Sequence, residues 1–229
     1  MSSHSTLRPL FACALVLVFT ACGTAPGVPK PGPEVPRPDQ VLVFATLYSQ
    51  NCAACHGAEG KLGAAISLAN PVYVAAAGVA NIQRVTAGGV PGTMMPPFAT
   101  AAGGMLTPQQ IDILAQGIVT AWGNAGELQG QTLPSYTNTA TGDPAQGQKS
   151  FATFCSRCHR AYSLTDPAYL SLISTQGLRS IIIAGEPQQG MPDWRSCLTG
   201  AGARAMTEQE ITDIVAWLAS KRPPNPRQP

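Results

Sequence analysis

The stretch CAACH at residues 52–56 recurs as CSRCH at residues 155–159, and this repeated pattern decides the fold. In both copies two thiols stand three positions apart, and a histidine directly follows the second thiol. Covalent haem attachment needs this arrangement, because each thiol forms a thioether with one vinyl group and the imidazole binds the iron. The sequence therefore predicts two covalently bound c-type haems. The thiols predicted to hold them are Cys52, Cys55, Cys155 and Cys158.

The same thiols form two CxxC pairs, so a four-thiolate zinc site or a pair of disulfides is the alternative. Four thiolates complete the tetrahedral shell of zinc, which leaves no role for the histidine beside each pair. The pattern therefore favours haem, with His56 and His159 as the proximal iron ligands.

The far side of each iron needs a ligand from another part of the chain. The third histidine, His4, lies in a segment that we expect to be removed, so methionine is the default sixth ligand. Two methionines share one frame, with glycine six residues before, proline directly after and an aromatic residue three after. Proline cannot continue a helix, so each sulfur is predicted to lie on an extended loop. These predicted ligands are Met95 and Met191, whereas Met94, Met105 and Met206 are interpreted as core residues.

Helical patterns surround each motif. An aromatic residue, Tyr48 or Phe151, lies one helical turn before the first thiol of each copy. Later in each repeat a capping signature, TPQQ at 107–110 and TEQE at 207–210, starts a helix with one apolar face. The predicted apolar stripes are Ile111, Leu114, Ile118 and Val119 in one copy, and Ile211, Ile214, Val215 and Leu218 in the other.

With these motifs, each half resembles a class I c-type cytochrome, and the chain resembles a tandem dihaem cytochrome c over nearly all of residues 41–222. The resemblance implies an all-α fold whose first and last helices cross beside the haem, and a function in electron transfer. Family members often carry glycine eight residues before the first haem cysteine. The second repeat has Gly147 there but the first has Phe44, which predicts a less close crossing. The second repeat also has Arg160 after its histidine, in place of Gly57.

The N-terminus predicts export. Arg8 precedes the apolar run 10–19, which is too short to span a membrane and is typical of a signal peptide over 1–21. The following FTAC at 19–22 resembles a lipoprotein cleavage site, which predicts lipid on the Cys22 thiol; an ordinary secreted protein is the alternative. Lipidation would hold the protein on the periplasmic side of a membrane in a bacterial cell envelope, rather than in solution in the periplasm.

Proline and glycine mark the remaining boundaries. Residues 22–40 are rich in proline and predict a semi-rigid tether. The first domain is predicted at 41–125 and the second at 143–222, with a linker at 126–142. The last residues, 223–229, are predicted to be a disordered tail.

Composition restricts the function. The formal charge of +2 over 229 residues favours neither nucleic acid nor a strongly acidic partner. Cys197 is left over from the haem motifs, either as a small buried residue or as a thiolate that competes with Met191 for iron. We therefore expect an electron carrier, not an enzyme, between respiratory or photosynthetic redox partners. A quinol-oxidising complex and a terminal oxidase are the expected partners. The alternatives are a small redox enzyme acting on a sulfur compound at the second haem, and a fixed subunit of a respiratory complex.

Overall fold

The structure is a computed structural model, which describes residues 32–128, 130–160, 164–198 and 202–223. The chain divides into Met1–Arg37 and Pro38–Pro229. In the N-terminal part only residues 32–37 are described, and they are exposed and without regular secondary structure. The predicted signal peptide, Cys22, most of the tether and most of the tail lie outside the described residues.

Across the described ranges the secondary structure is helical and contains no strand, which confirms the predicted all-α class. The first domain contains α1 (Phe44–Asn51), α2 (Ala53–His56), α3 (Pro71–Gly88) and α4 (Pro108–Trp122). The second contains α5 (Pro144–Phe154), α6 (Pro167–Leu172), α7 (Thr175–Ala184) and α8 (Glu208–Ala219). Short 3-10 turns occupy Pro38–Gln40, Thr100–Ala102 and Pro187–Gln189. None of the helices within these ranges is both long enough and apolar enough to cross a membrane.

Side-chain caps explain where most of these helices begin. The two predicted capping boxes are confirmed, since Thr107 and Thr207 exchange hydrogen bonds with Gln110 and Glu210 three residues later. Three other helices begin with an acceptor side chain followed by proline at the first helical position. These caps are Asn70 for α3, Asp143 for α5 and Asp166 for α6.

The helical segment in the middle of each domain is interrupted, but in a different way in the two domains. Helix α3 is interrupted at Gly78, whose φ of 62° is accessible to glycine at little cost. In the second domain the corresponding stretch is divided into α6 and α7. Ser174 starts α7, because its hydroxyl accepts a hydrogen bond from the Gly177 amide at 2.9 Å.

The first and last helices of each domain pack together, and the predicted apolar stripes are buried except for Val119, which is half-buried. Leu114 of α4 and Ile211 and Ile214 of α8 are completely buried. Helices α5 and α8 are in much more extensive contact than α1 and α4, which confirms the looser crossing predicted for the first domain. One hydrophobic core runs through both domains.

The linker lies against the second domain, where a buried arginine holds it. Both Nε and Nη2 of Arg179 donate to the carbonyl oxygen of Ser135, at 2.9 and 2.8 Å. The same guanidinium forms an ion pair with Glu208 of α8. The Gln176 amide donates to the carbonyl of Tyr136 at 2.8 Å. The linker is therefore fixed to α7 and α8.

Candidate haem sites

The two motifs have the same backbone geometry. In the first, the amide of Cys52 donates to Tyr48 at 2.8 Å, and the amide of His56 donates back to Cys52 at 3.0 Å. In the second, the amide of Cys155 donates to Phe151 at 2.9 Å, and that of His159 donates to Cys155 at 3.1 Å. Each motif is thus one helical turn that continues directly from the entering helix. This turn brings both thiols and the imidazole together at the end of α1 or α5.

The imidazole of His56 is held in a defined orientation. It is buried, with 9% of its surface exposed, and its Nδ1 lies 2.8 Å from the carbonyl oxygen of Ile66. A carbonyl can only accept, so Nδ1 carries the proton and the lone pair is on Nε2. Burial lowers the pKa of His56, which favours the neutral ring that a metal requires. His159 of the second motif is half-buried.

The segment after His56 is turned sharply to reach Ile66. The Tyr48 hydroxyl donates to the carbonyl of Gly57 at 2.8 Å, and the amide of Ala65 donates to Cys55 at 2.9 Å. Gly57 has φ of 83°, and a Cβ there would lie 1.9 Å from the carbonyl oxygen of Lys61. Only glycine fits this turn.

The two methionine loops also match. Gly89 and Gly185 end the preceding helices with φ of 65° and 66°. Six residues on, the carbonyl of Met95 accepts from Val90 at 3.0 Å, and that of Met191 accepts from Glu186 at 3.0 Å. A Cβ at either glycine would lie 2.6 Å from the loop backbone. The glycine-to-methionine spacing that the two repeats share in sequence therefore corresponds to the same loop conformation. Met95 and Met191 are both half-buried on this loop.

The other methionines differ from Met95 and Met191 in how far their side chains are buried. Met206 is buried, as predicted, and its amide donates to the carbonyl of Trp194 at 2.9 Å. The same prediction was wrong for Met94 and Met105, which are 85% and 76% exposed. Met94 directly precedes Met95 in the loop, so its side chain is directed to the surface while that of Met95 is half-buried.

Two family models match the chain, one over each domain. Residues 40–116 match the model described as cytochrome c oxidase, cbb3-type, subunit III, and residues 144–221 match the model described as cytochrome c. The chain carries two c-type cytochrome domains in tandem. No curated protein matches the sequence significantly. Haem-based electron transfer is the activity of such domains, and covalently bound haem c with iron is their cofactor.

The chain's own residues fit this cofactor. In the first cytochrome domain the exposed Cys55 and half-buried Cys52 lie on one turn with a neutral imidazole whose Nε2 carries the lone pair. The second domain repeats the turn with Cys155, Cys158 and His159. Among the described residues, no three His, Cys, Asp or Glu side chains gather as a metal site, so the four thiols do not converge on a common centre.

The electrostatics of the thiols differ little between the two domains. Burial, followed by the neighbouring Cys55, raises the pKa of Cys52 to about 11. Burial, followed by Cys197 and Cys158, raises the pKa of Cys155 to about 12. Both groups are therefore neutral thiols at neutral pH. Cys197 lies close to this second motif, as its interpretation as a competitor of Met191 for iron requires.

An ion-pair cluster follows the second methionine. Arg195 pairs with Asp193 at 2.6 Å and with Glu127 of the linker at 2.9 Å, and its guanidinium lies 5.1 Å from the centre of the Trp194 ring. The hydrogen bond to Asp193 is the main cause of its raised pKa. The charge of Asp193, two residues from Met191, is thus balanced by a neighbour that the sequence analysis did not single out.

Contacts between the two domains also involve residues that sequence reasoning missed. Asn70 is almost completely buried, and its amide nitrogen donates to the carbonyls of Ala184 and Gly185 at 3.0 and 3.2 Å. Glu186 of the second methionine loop accepts a hydrogen bond from the amide of Ser67. Asn70 followed by Pro71 is a pattern typical of a helix start. Such a pattern does not reveal a partner more than a hundred residues away.

Proposed function

We propose that this protein is a membrane-anchored dihaem cytochrome c that carries electrons between redox proteins of a respiratory chain. The observation that carries the proposal is the fixed imidazole of His56, since Nδ1–H bonded to Ile66 leaves the Nε2 lone pair for iron. When bound, haem supplies a ferric–ferrous couple. The chain supplies the thiols and the orientation of the buried imidazole.

In this proposal His56 with Met95 would hold the first iron, and His159 with Met191 would hold the second. Met95 and Met191 are supported by the matching loops, in which glycine, proline and one backbone hydrogen bond recur at the same spacing. Thioether and imidazole ligands would favour the ferrous state and would leave neither iron with a position open to a substrate. Electron transfer without substrate chemistry follows from this ligand set.

The partner proposed for this cytochrome is a terminal oxidase, with a quinol-oxidising complex as the source of electrons. Support comes from the first domain, whose family model is described as a subunit of cytochrome c oxidase. The same observation favours a second arrangement, in which the chain is a fixed subunit of such an oxidase. Cys22 with its lipid would keep either form at the membrane surface, on the periplasmic side.

The remaining alternative, an enzyme that acts on a sulfur compound, depends on a reactive Cys197. Its thiol donates to the carbonyl oxygen of Asp193 at 3.3 Å, and burial raises its pKa to about 11. A thiol that stays protonated at neutral pH is a poor nucleophile. This observation favours the carrier.

Paired methionine variants test the ligand assignment. The holo protein should contain two haems per chain and show the weak near-infrared band of iron–thioether bonding. Met95→Ala and Met191→Ala should each remove part of that band, whereas Met94→Ala and Met206→Leu should retain it. If Met94→Ala removed part of the band and Met95→Ala did not, the ligand assignment for the first haem would be wrong.

Membrane fractionation and oxidase assays test the rest of the proposal. Cys22→Ser should release a soluble protein that keeps both haems. A variant still bound to salt-washed membranes would contradict the lipid anchor. The reduced wild-type protein should be oxidised by membranes that contain an active cytochrome c oxidase, and cyanide should block this reaction. If the protein copurifies with an oxidase in fixed stoichiometry, the subunit arrangement is correct and the mobile carrier is not.

A further inference from the structure

One peptide bond connects the proximal side of the first haem site with the second domain. This peptide joins Ile66 to Ser67. Its carbonyl oxygen lies 2.8 Å from Nδ1 of His56, and its amide donates to Oε1 of Glu186 at 3.2 Å. Ser67 is buried, with 3% of its surface exposed, and Glu186 is half-buried. The carboxylate of one domain is therefore two hydrogen bonds from the proximal histidine of the other.

The backbone of Glu186 belongs to the methionine loop of the second domain. Its amide donates to the carbonyl of Met191 at 3.0 Å, and the Met191 amide donates back at 3.1 Å. Gln188 of the same loop accepts from the Ser67 hydroxyl at 3.4 Å, and its amide donates to Ala69 at 3.4 Å. The Asn70 hydrogen bonds to Ala184 and Gly185 hold the loop in place. The position of Glu186 is thus fixed from both domains.

The physical effect of this carboxylate has a definite sign. An N–H that donates to a negative charge polarises its peptide, so the carbonyl of Ile66 becomes a stronger acceptor. A stronger bond from Nδ1–H makes the imidazole a better electron donor to a metal on Nε2. The negative charge itself also stabilises the more positive ferric form. Within the described residues no ion pair neutralises Glu186, so both effects act in the same direction.

We propose that Glu186 is a positioning residue that lowers the reduction potential of the first haem, although it belongs to the second domain. This inference rests on the proposed function, because it requires a haem on His56. The domain contact then has a redox role in addition to a structural one. It makes the first haem easier to oxidise than its own domain alone would make it.

The test is a redox titration of the full-length holo protein carrying Glu186→Gln. Glutamine keeps the size and an acceptor oxygen for Ser67 but removes the charge. At a fixed potential near its midpoint, the reduced-to-oxidised ratio of the first haem should rise about three- to tenfold. The His56 Nδ1–H proton resonance should move to higher field, because its hydrogen bond weakens. The first haem is identified by the axial methionine signal that Met95→Ala removes.

Two matched variants separate charge from packing. Gln188→Ala removes a neutral contact of the same loop with Ser67. At the same fixed potential it should leave the reduced-to-oxidised ratio of the first haem within about twofold of wild type. Gln188→Glu adds a second carboxylate beside Ser67 and should lower the first potential, which is the opposite sign to Glu186→Gln. This gain-of-charge variant tests the inference even if Glu186→Gln folds poorly.

The wild-type protein distinguishes a failure of the proposed function from a failure of the role of Glu186. Wild-type protein that lacks two haems, or lacks the near-infrared thioether band, would contradict the dihaem proposal itself. Wild-type protein with both, together with an unmoved first potential in Glu186→Gln or in Gln188→Glu, would overturn only the role of Glu186. Equal shifts in Glu186→Gln and Gln188→Ala would assign the effect to packing and would also overturn it.

Discussion

A Cβ atom at Gly147 would lie 2.0 Å from the carbonyl oxygen of Asp213, because α5 and α8 cross there with their backbones almost in contact. In the first domain the small and the large residue of the helix crossing lie on the opposite helices from those in the second domain. Phe44 takes the place of Gly147 on the entering helix, and Gly117 takes the place of Trp217 on the closing helix. A Cβ at Gly117 would lie 2.1 Å from the Phe44 ring. Each crossing thus keeps one glycine and one aromatic residue, on opposite helices.

This exchange predicts different costs for the same substitution. Gly147→Ala should lower the free energy of unfolding by about 2–3 kcal/mol, because its new methyl group meets backbone that cannot move alone. Gly117→Ala should cost less, about 1 kcal/mol, because its methyl group meets the half-buried Phe44 side chain, which can shift more easily than backbone, and because alanine favours the helix. Urea unfolding of the holo protein measures both. Gln148→Ala, exposed on the same helix as Gly147, is the neutral control, and equal losses at the two glycines would contradict the model of the crossing.

The parts of the structure that sequence reasoning predicted are local ones. The two CxxCH turns, the glycine-to-methionine loops and both capping boxes depend on residues within about ten positions of one another. A pattern reveals these because the interacting groups recur at the same spacing. The contacts of Asn70 with Ala184, and of Ser67 with Glu186, join residues more than a hundred positions apart. In each of these contacts one of the two groups belongs to the backbone, which carries no sequence signal.

Asn70 combines two roles that a single-atom change separates. Its Oδ1 accepts from the amides of Val72 and Tyr73, and its Nδ2 donates across the domain interface. Asn70→Asp keeps the cap but directs a carboxylate at two carbonyl oxygens. We expect a loss of about 2–3 kcal/mol, from two missing hydrogen bonds in a buried site. Thermal unfolding should also separate into two transitions as the domains become uncoupled.

Asp166 is the matched control for this interface. It caps α6 in the same way, accepting from the amide of Ala168 at 2.7 Å, but it is exposed. Asp166→Asn should change the stability by less than about 0.5 kcal/mol, because both residues are good caps. If Asn70→Asp were as mild as Asp166→Asn, the interdomain hydrogen bonds would contribute nothing.

Arg179 is expected to hold the linker. Its side chain is 5% exposed, whereas that of its partner Glu208 is 41% exposed. Arg179→Met removes two hydrogen bonds to Ser135 and leaves Glu208 without its cation, so we expect a loss of about 2–3 kcal/mol, at the low end for a broken buried pair. A non-specific protease should then cut faster within residues 126–142. Arg204→Met, in an exposed pair with Glu210, should leave cleavage of the linker unchanged. Unchanged cleavage in Arg179→Met as well would show that other contacts hold the linker.

The two capping boxes differ in one residue, Glu210 in α8 and Gln110 in α4, and their surroundings explain the difference. Hydrogen bonds from Arg204, followed by those from Thr207, lower the pKa of Glu210 from 4.5 to about 2. Gln110 is instead buried, and its amide nitrogen donates to the carbonyls of Pro38 and Val41 at 2.7 and 3.0 Å. A carboxylate suits the first site, which offers donors, and an amide suits the second, which offers acceptors.

These surroundings predict opposite dependences of stability on pH. Between pH 4.5 and about 2 the unfolded chain binds a proton at Glu210 that the folded chain does not, so wild-type stability should fall as pH falls through this window. Glu210→Gln should remove that part of the slope in acid urea titrations. Gln110→Glu should have the reverse effect, because a buried carboxylate that faces two carbonyls has a raised pKa and is best tolerated when protonated. This variant should therefore be less stable than wild type at neutral pH and recover part of the loss in acid. A slope that Glu210→Gln leaves unchanged would show that the Arg204 contact does not persist in solution.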